Sequence, residues 1–157
     1  HGSSSTDSHL GLVDITNTYK DTELIPYQKL ATVAEAVMVA HVTNQKIDPN
    51  YPATLSPLFI QNILREQLHF TGVVISDDMS MDAIRKQYTL KDAVVRAINA
   101  GNNILVVSNN GSGAYDEHLP YEVSQIIYDA VVADEIPAET INTSYDKIHK
   151  LKKNFGI

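Results

Sequence analysis

Gly72-Val73-Val74-Ile75-Ser76-Asp77-Asp78 is the stretch that decides how this chain folds. Val73, Val74 and Ile75 are consecutive branched apolar residues, the pattern of a parallel strand covered on both faces, and they run directly into two carboxylates. Side chains alternate along a strand, so Val73, Ile75 and Asp77 are expected on one face and Val74, Ser76 and Asp78 on the other. Upstream, Ser56 reads as an N-cap with Pro57 in the first turn of an amphipathic helix through Leu58, Ile60, Ile63, Leu64 and Leu68. Before that helix, residues 36–42 form a second buried strand carrying His41, and residues 22–35 place Leu24, Ile25, Leu30, Val33 and Ala34 at helical spacing. Downstream, residues 90–100 are a helix with Ala93, Val94, Ala97 and Ile98 on one face, and residues 103–107 are a third strand. Helices over about residues 121–133 and 141–154 follow, with Pro137 breaking the chain between them.

Strands alternating with helices at about 30-residue spacing argue for parallel βαβ units and an α/β fold. Three strands are too few for a closed eight-stranded barrel, which typically takes ~250 residues. The expected architecture is therefore the C-terminal part of a (β/α)8 barrel spanning residues 1–157, with the N-terminal half absent. A small doubly wound open sheet satisfies the same periodicity.

With 157 residues and 43% apolar content, the chain can bury a core without disulfides or metal. The formal charge is −7 with only 12 Lys and Arg, so no basic block exists to neutralise a run of phosphates, and nucleic acid is not an expected partner. An uncharged or weakly polar substrate fits better. Cysteine is absent, which excludes a thiolate zinc site and leaves the redox compartment open. No apolar run reaches the roughly 20 residues of a membrane span. The chain opens on His1, so residues are expected to precede it.

Polar groups cluster where the strands end, which is where β/α architectures gather their chemistry. His41 closes one strand, Asp77 and Asp78 the second, and Ser108-Asn109-Asn110 the third. An Asp pair after a strand also serves as a helix cap or turn, and a histidine there also serves as a hydrogen-bonded rim residue. In the polar loop 1–9, Asp7 lies two residues from His9, close enough to orient the imidazole and raise its basicity. His1-Gly2-Ser3-Ser4 alone would also read as an expression-tag remnant. His1, Asp7, His9, His41 and Asp77 are competent metal ligands, but no compact motif such as H-E-x-x-H is present, and no metal or cofactor is expected.

Several of these stretches together resemble the family 3 glycoside hydrolases of the β-N-acetylglucosaminidase type. His1-Gly2-Ser3-Ser4-Ser5-Thr6-Asp7-Ser8-His9 is similar to the end of the signature K-H-F-P-G-H-G-x4-D-[ST]-H. Met38 to Val42, then Pro52-Ala53-Thr54-Leu55-Ser56, resemble M-x-A-H-V and P-A-[ST]-L-S. Ile63-Leu64-Arg65, followed by Phe70 to Met81, matches I-L-R and F-x-G-V-[IV]-x-[ST]-D-D-x-x-M. The resemblance implies a retaining glycosidase acting on β-linked N-acetylglucosamine or related hexosides, with peptidoglycan-derived sugars as the leading substrate. Asp77 corresponds to the nucleophile, and Asp7 with His9 to the acid/base dyad; substrate contacts are carried over to His1, His41 and Met79. A neutral imidazole base does not repel an anion, so phosphate could replace water as the acceptor. The ending, Ile148 to Ile157, is more similar to exported two-domain relatives, which leans the compartment towards the periplasm or outside. Half a barrel exposes strand edges, so the chain is expected to need the other half or a second copy, the alternative being an inactive, self-associating module.

Overall fold

The computed structural model describes Asp7, residues 11–109 and residues 115–157 of the chain. Its centre is a three-stranded parallel sheet in the order β2 (Ala36–Val39), β4 (Val73–Asp78), β5 (Ile104–Val106). Ala36 to Val39 pair in register with Val73 to Ser76. A second, two-stranded parallel sheet joins β1 (Val13–Asp14) to β3 (Val42–Thr43). The fold is therefore α/β with parallel sheets, as expected.

The strand expected over residues 36–42 is divided, with β2 and β3 separated at Ala40-His41. At the break, the Thr54 hydroxyl lies 3.0 Å from the Val39 carbonyl and 2.9 Å from that of Ala40, so a side chain meets acceptors that a ladder partner would otherwise serve. The helix expected over residues 22–35 is also shorter, a 3-10 turn at Asp21–Leu24 leading into α1 at Ile25–Leu30. Thr32 and Val33, both β-branched, follow where it stops.

Leu58–Gln67 winds as a helix of π type, with the Leu68 N–H donating to the Ile63 carbonyl five residues back. Ser56 does not cap it; its hydroxyl donates instead to buried Asp48 at 2.5 Å. Ile60 and Leu64 from this helix, and Leu68 just after it, pack with Phe70 and Val74. Arg65 ties the turn into β4, donating to the carbonyls of Phe70 and Gly72 at 3.0 and 2.7 Å and to Asn103 at 3.1 Å.

After β4 come a single turn, α2 (Asp82–Arg85), and α3 (Leu90–Ala100). The observed bounds of α3 match expectation because both ends carry strong signals. Thr89 caps the first turn by accepting from the Asp92 N–H, and Gly101 leaves in the left-handed region at φ 114°. Val94 and Ile98 pack against Leu119, Val123 and Ala130 of α4 (Leu119–Val132) and against Ile136. The last helix, α5 (Ala138–Asn154), reaches back to the foot of the sheet, where Ser144 accepts from Asn103 at 3.0 Å. Among the described residues, no helix is long and apolar enough to cross a membrane.

Candidate active site

Because the strands of the central sheet are parallel, their carboxyl ends lie at one edge, and Asp77, Asp78 and Ser108 gather there. The tip of β4 does not keep strict alternation. Ile75 faces Ile104 but Asp78 faces Val106, so three steps along β4 oppose two along β5 and the strand bulges between them. The Val106 N–H donates to the Ser76 hydroxyl at 3.0 Å, and the Met79 N–H donates back to the Val106 carbonyl at 2.9 Å. A side-chain oxygen thus replaces a ladder carbonyl at the bulge.

The bulge determines what each residue of the motif faces. Asp77 is half-buried and lines a cavity of about 300 Å³ with Met38, Val39, Ile15, Tyr19 and Phe59. Its Oδ1 accepts from the Asp78 N–H at 2.8 Å. Among the described residues no other group hydrogen-bonds this carboxylate, which leaves Oδ2 with lone pairs to present. A carboxylate oriented by one backbone donor and open on one side can attack an electrophile or accept a proton.

Asp78 is fixed instead. Its Oδ1 accepts from the N–H groups of Ser80 at 2.9 Å and Ser108 at 3.0 Å, and its Oδ2 accepts from the Ser108 hydroxyl. Partial burial pushes its pKa up, but the Ser108 hydroxyl, the Ser108 N–H and the Ser80 N–H together outweigh this and hold it below the usual carboxylate range. Asp78 remains ionised and serves as the anchor between β4 and the residues after β5. Beyond Ser108, Asn109 and Asp116 are tied to each other: the Asn109 amide donates to the Asp116 carbonyl at 2.5 Å and accepts from its N–H at 3.1 Å.

Two of the expected substrate contacts, Met79 and His41, lie in the interior. Met79 is fully buried, packed with Leu55, Ile84, Ala93 and Ala97, because the bulge turns it away from the face that Asp77 occupies. His41 is also fully buried, and both ring nitrogens are engaged, Nδ1 at 2.9 Å from Thr54 Oγ1 and Nε2 at 2.9 Å from the Asp78 carbonyl. Burial is the largest influence on this ring and pushes its pKa below the usual histidine value, against the opposing hydrogen bond to Asp78 and the charges of Asp77 and Asp78. His1 and His9 lie outside the described residues, as does Asn110; Asp7 is described and is exposed. Among the described residues no three His, Asp or Glu side chains come together as a metal site.

Sequence reasoning places Ser108 at a strand end but gives neither Thr54 nor Ser76 a role at this site. Thr54 and Ser76 sit inside the motifs quoted above, and their hydroxyls are the only sequence signal that either could hold a strand end.

A parallel α/β chain whose carboxylates gather at the carboxyl edge of its sheet falls in the class of β/α folds that place their polar groups where the strands end. Within that class the chain belongs to the glycosyl hydrolase family 3 N-terminal domain, whose family model matches residues 1–151. A β-hexosaminidase of Idiomarina loihiensis is 34% identical over 126 residues, covering 76% of this chain and 38% of that protein. One of Nitrosomonas eutropha is 30% identical over 160 residues, covering 98% and 45%. A solved glycoside hydrolase family 3 β-N-acetylglucosaminidase from Paenibacillus sp. superposes with a TM-score of 0.79 at 29% identity, covering 94% of this chain and 28% of that one. The chain spans less than half the length of the curated relatives it matches.

Proposed function

We propose that this chain supplies the C-terminal part of the catalytic barrel of a retaining glycosidase that removes β-linked N-acetylglucosamine, with peptidoglycan-derived sugars as the leading substrate. The observation that carries the reading is Asp77: a half-buried carboxylate at the tip of the central strand, oriented through Oδ1 by the Asp78 N–H and facing a cavity. Its Oδ2 attacks the anomeric carbon, the glycosidic bond breaks, and a glycosyl-aspartate forms. His9, protonated, gives its proton to the departing oxygen and then takes one from the water that releases the sugar. Asp7 holds the ring and stabilises its charged form. The printed names of the relatives, β-hexosaminidase and β-N-acetylglucosaminidase, support the sugar.

β2 pairs with β4 on one side, and among the described residues its other edge has no strand partner. Such an edge favours the reading that further strands, from the rest of a barrel or from a second copy, complete the sheet. The test is hydrolysis of an aryl β-N-acetylglucosaminide by the whole protein and by residues 1–157 alone, each with and without a chelator. The reading expects turnover by the whole protein that a chelator leaves unchanged. It also expects His9→Ala to spare the first step for a highly activated leaving group while slowing sugar release. Equal damage to the first step for activated and unactivated substrates contradicts the acid role.

A further inference from the structure

His41 is fully buried, and it contacts the residue next to the proposed nucleophile. Hydrogen counting fixes what it does. The Asp78 carbonyl can only accept, so the ring Nε2 at 2.9 Å carries a hydrogen and donates it. Thr54 has one hydroxyl hydrogen and three neighbours within reach: His41 Nδ1 at 2.9 Å, the Val39 carbonyl at 3.0 Å and the Ala40 carbonyl at 2.9 Å. With the ring neutral, Nδ1 is a bare acceptor and takes the Thr54 proton. With the ring charged, Nδ1–H donates to Thr54, whose own proton turns to the strand carbonyls. Either way Nε2–H stays on Asp78.

We propose that His41 is a positioning residue for the proposed reaction: through Nε2–H it clamps the carbonyl of the Asp78–Met79 peptide and so holds the backbone of Asp78, whose N–H, in the preceding peptide, orients the Asp77 carboxylate, with Thr54 absorbing any change in the ring's protonation. The inference rests on the glycosidase reading and deepens it. The chain of contacts is continuous, from Thr54 to the ring, from the ring to the Asp78 carbonyl, and from the Asp78 N–H to Asp77 Oδ1. The charged groups acting on the ring are Asp77 and Asp78, both on β4. The clamp sits in both protonation states, so titration of His41 adds no limb to the pH dependence of turnover, which a proton-transferring histidine would add.

The experiment compares wild type, His41→Gln and His41→Leu in the whole protein, on an aryl β-N-acetylglucosaminide across pH. Gln keeps an N–H that reaches a carbonyl; Leu fills space without one. Misplacing a reacting group by about 1 Å costs on the order of 100-fold in rate, so His41→Leu is expected to lose about that much kcat with KM little changed. Gln recovers most of the loss and retains the wild-type pH profile. An independent arm, nitrogen NMR of the wild-type ring, expects Nε2 to stay protonated throughout the titration while Nδ1 changes. A wild type without turnover overturns the glycosidase reading and this inference with it. An active wild type with unchanged kcat in His41→Leu, no recovery in Gln, or a bare Nε2 overturns this inference alone. Should the Leu variant fail to fold, the Gln kinetics and the NMR arm decide.

Discussion

The Ser76 hydroxyl accepts the backbone N–H of Val106 at 3.0 Å, so a side-chain oxygen ties down the bulge between Ile75 and Asp78. Ser76 is fully buried, and removing its hydroxyl leaves the part-buried Val106 N–H without its acceptor. Ser76→Ala is expected to cost about 1–3 kcal/mol of stability, read by urea denaturation, and to lower turnover because the aim of Asp77 depends on the bulge. Ser76→Thr keeps the oxygen and is expected to retain more of both. Equal stability in Ser76→Ala and wild type contradicts the assignment.

The buried His41 makes stability depend on pH with a definite sign. Its folded pKa lies below the unfolded value, so between the two the unfolded chain binds more protons than the native one. Stability therefore rises with pH in that window, and falls as the pH is lowered from about 6.5 through the folded pKa. Unfolding midpoints measured across this range are expected to drop on the acid side in wild type and to drop less in His41→Gln. A wild-type midpoint that rises on acidification through the same window contradicts the burial argument.

Gly101 ends α3 at φ 114°, and a Cβ added there would lie 2.2 Å from Gln61 Nε2 and 2.9 Å from Ile60 Cγ2. Gly101→Ala combines backbone strain with a clash against the Leu58–Gln67 helix and is expected to cost about 1–3 kcal/mol, checked by thermal melting. Gly156, also at positive φ but with nothing within 4 Å of an added Cβ, is the control for strain without the clash.

What the sequence made legible follows from the range of the interactions involved. The strand around Val73 to Ser76 and the bounds of α3 are written in local signals, branched apolar residues for one, Thr89 and Gly101 for the other. The break between β2 and β3 depends on Thr54, more than ten residues away, and the bulge in β4 on Val106, so neither has a local mark. Met79 is expected at the substrate only through the family resemblance, and its packing with Leu55, Ile84, Ala93 and Ala97, beyond the bulge, has no local mark. His41 reads as a strand-end ligand because nothing nearby in sequence shows that both its nitrogens are engaged across the fold. Ser56 reads as a cap because its competing partner, Asp48, bonds it through tertiary structure.

The role of Asp77 is tested most directly by trapping the intermediate. The whole protein, incubated with a fluorinated N-acetylglucosaminyl donor that forms the covalent adduct and releases it slowly, is digested and mapped by mass spectrometry. The account predicts one sugar attached within the peptide that carries Asp77, and no adduct in Asp77→Asn. A sugar attached to a different residue, or turnover of ordinary substrate that persists undiminished in Asp77→Asn, would contradict it.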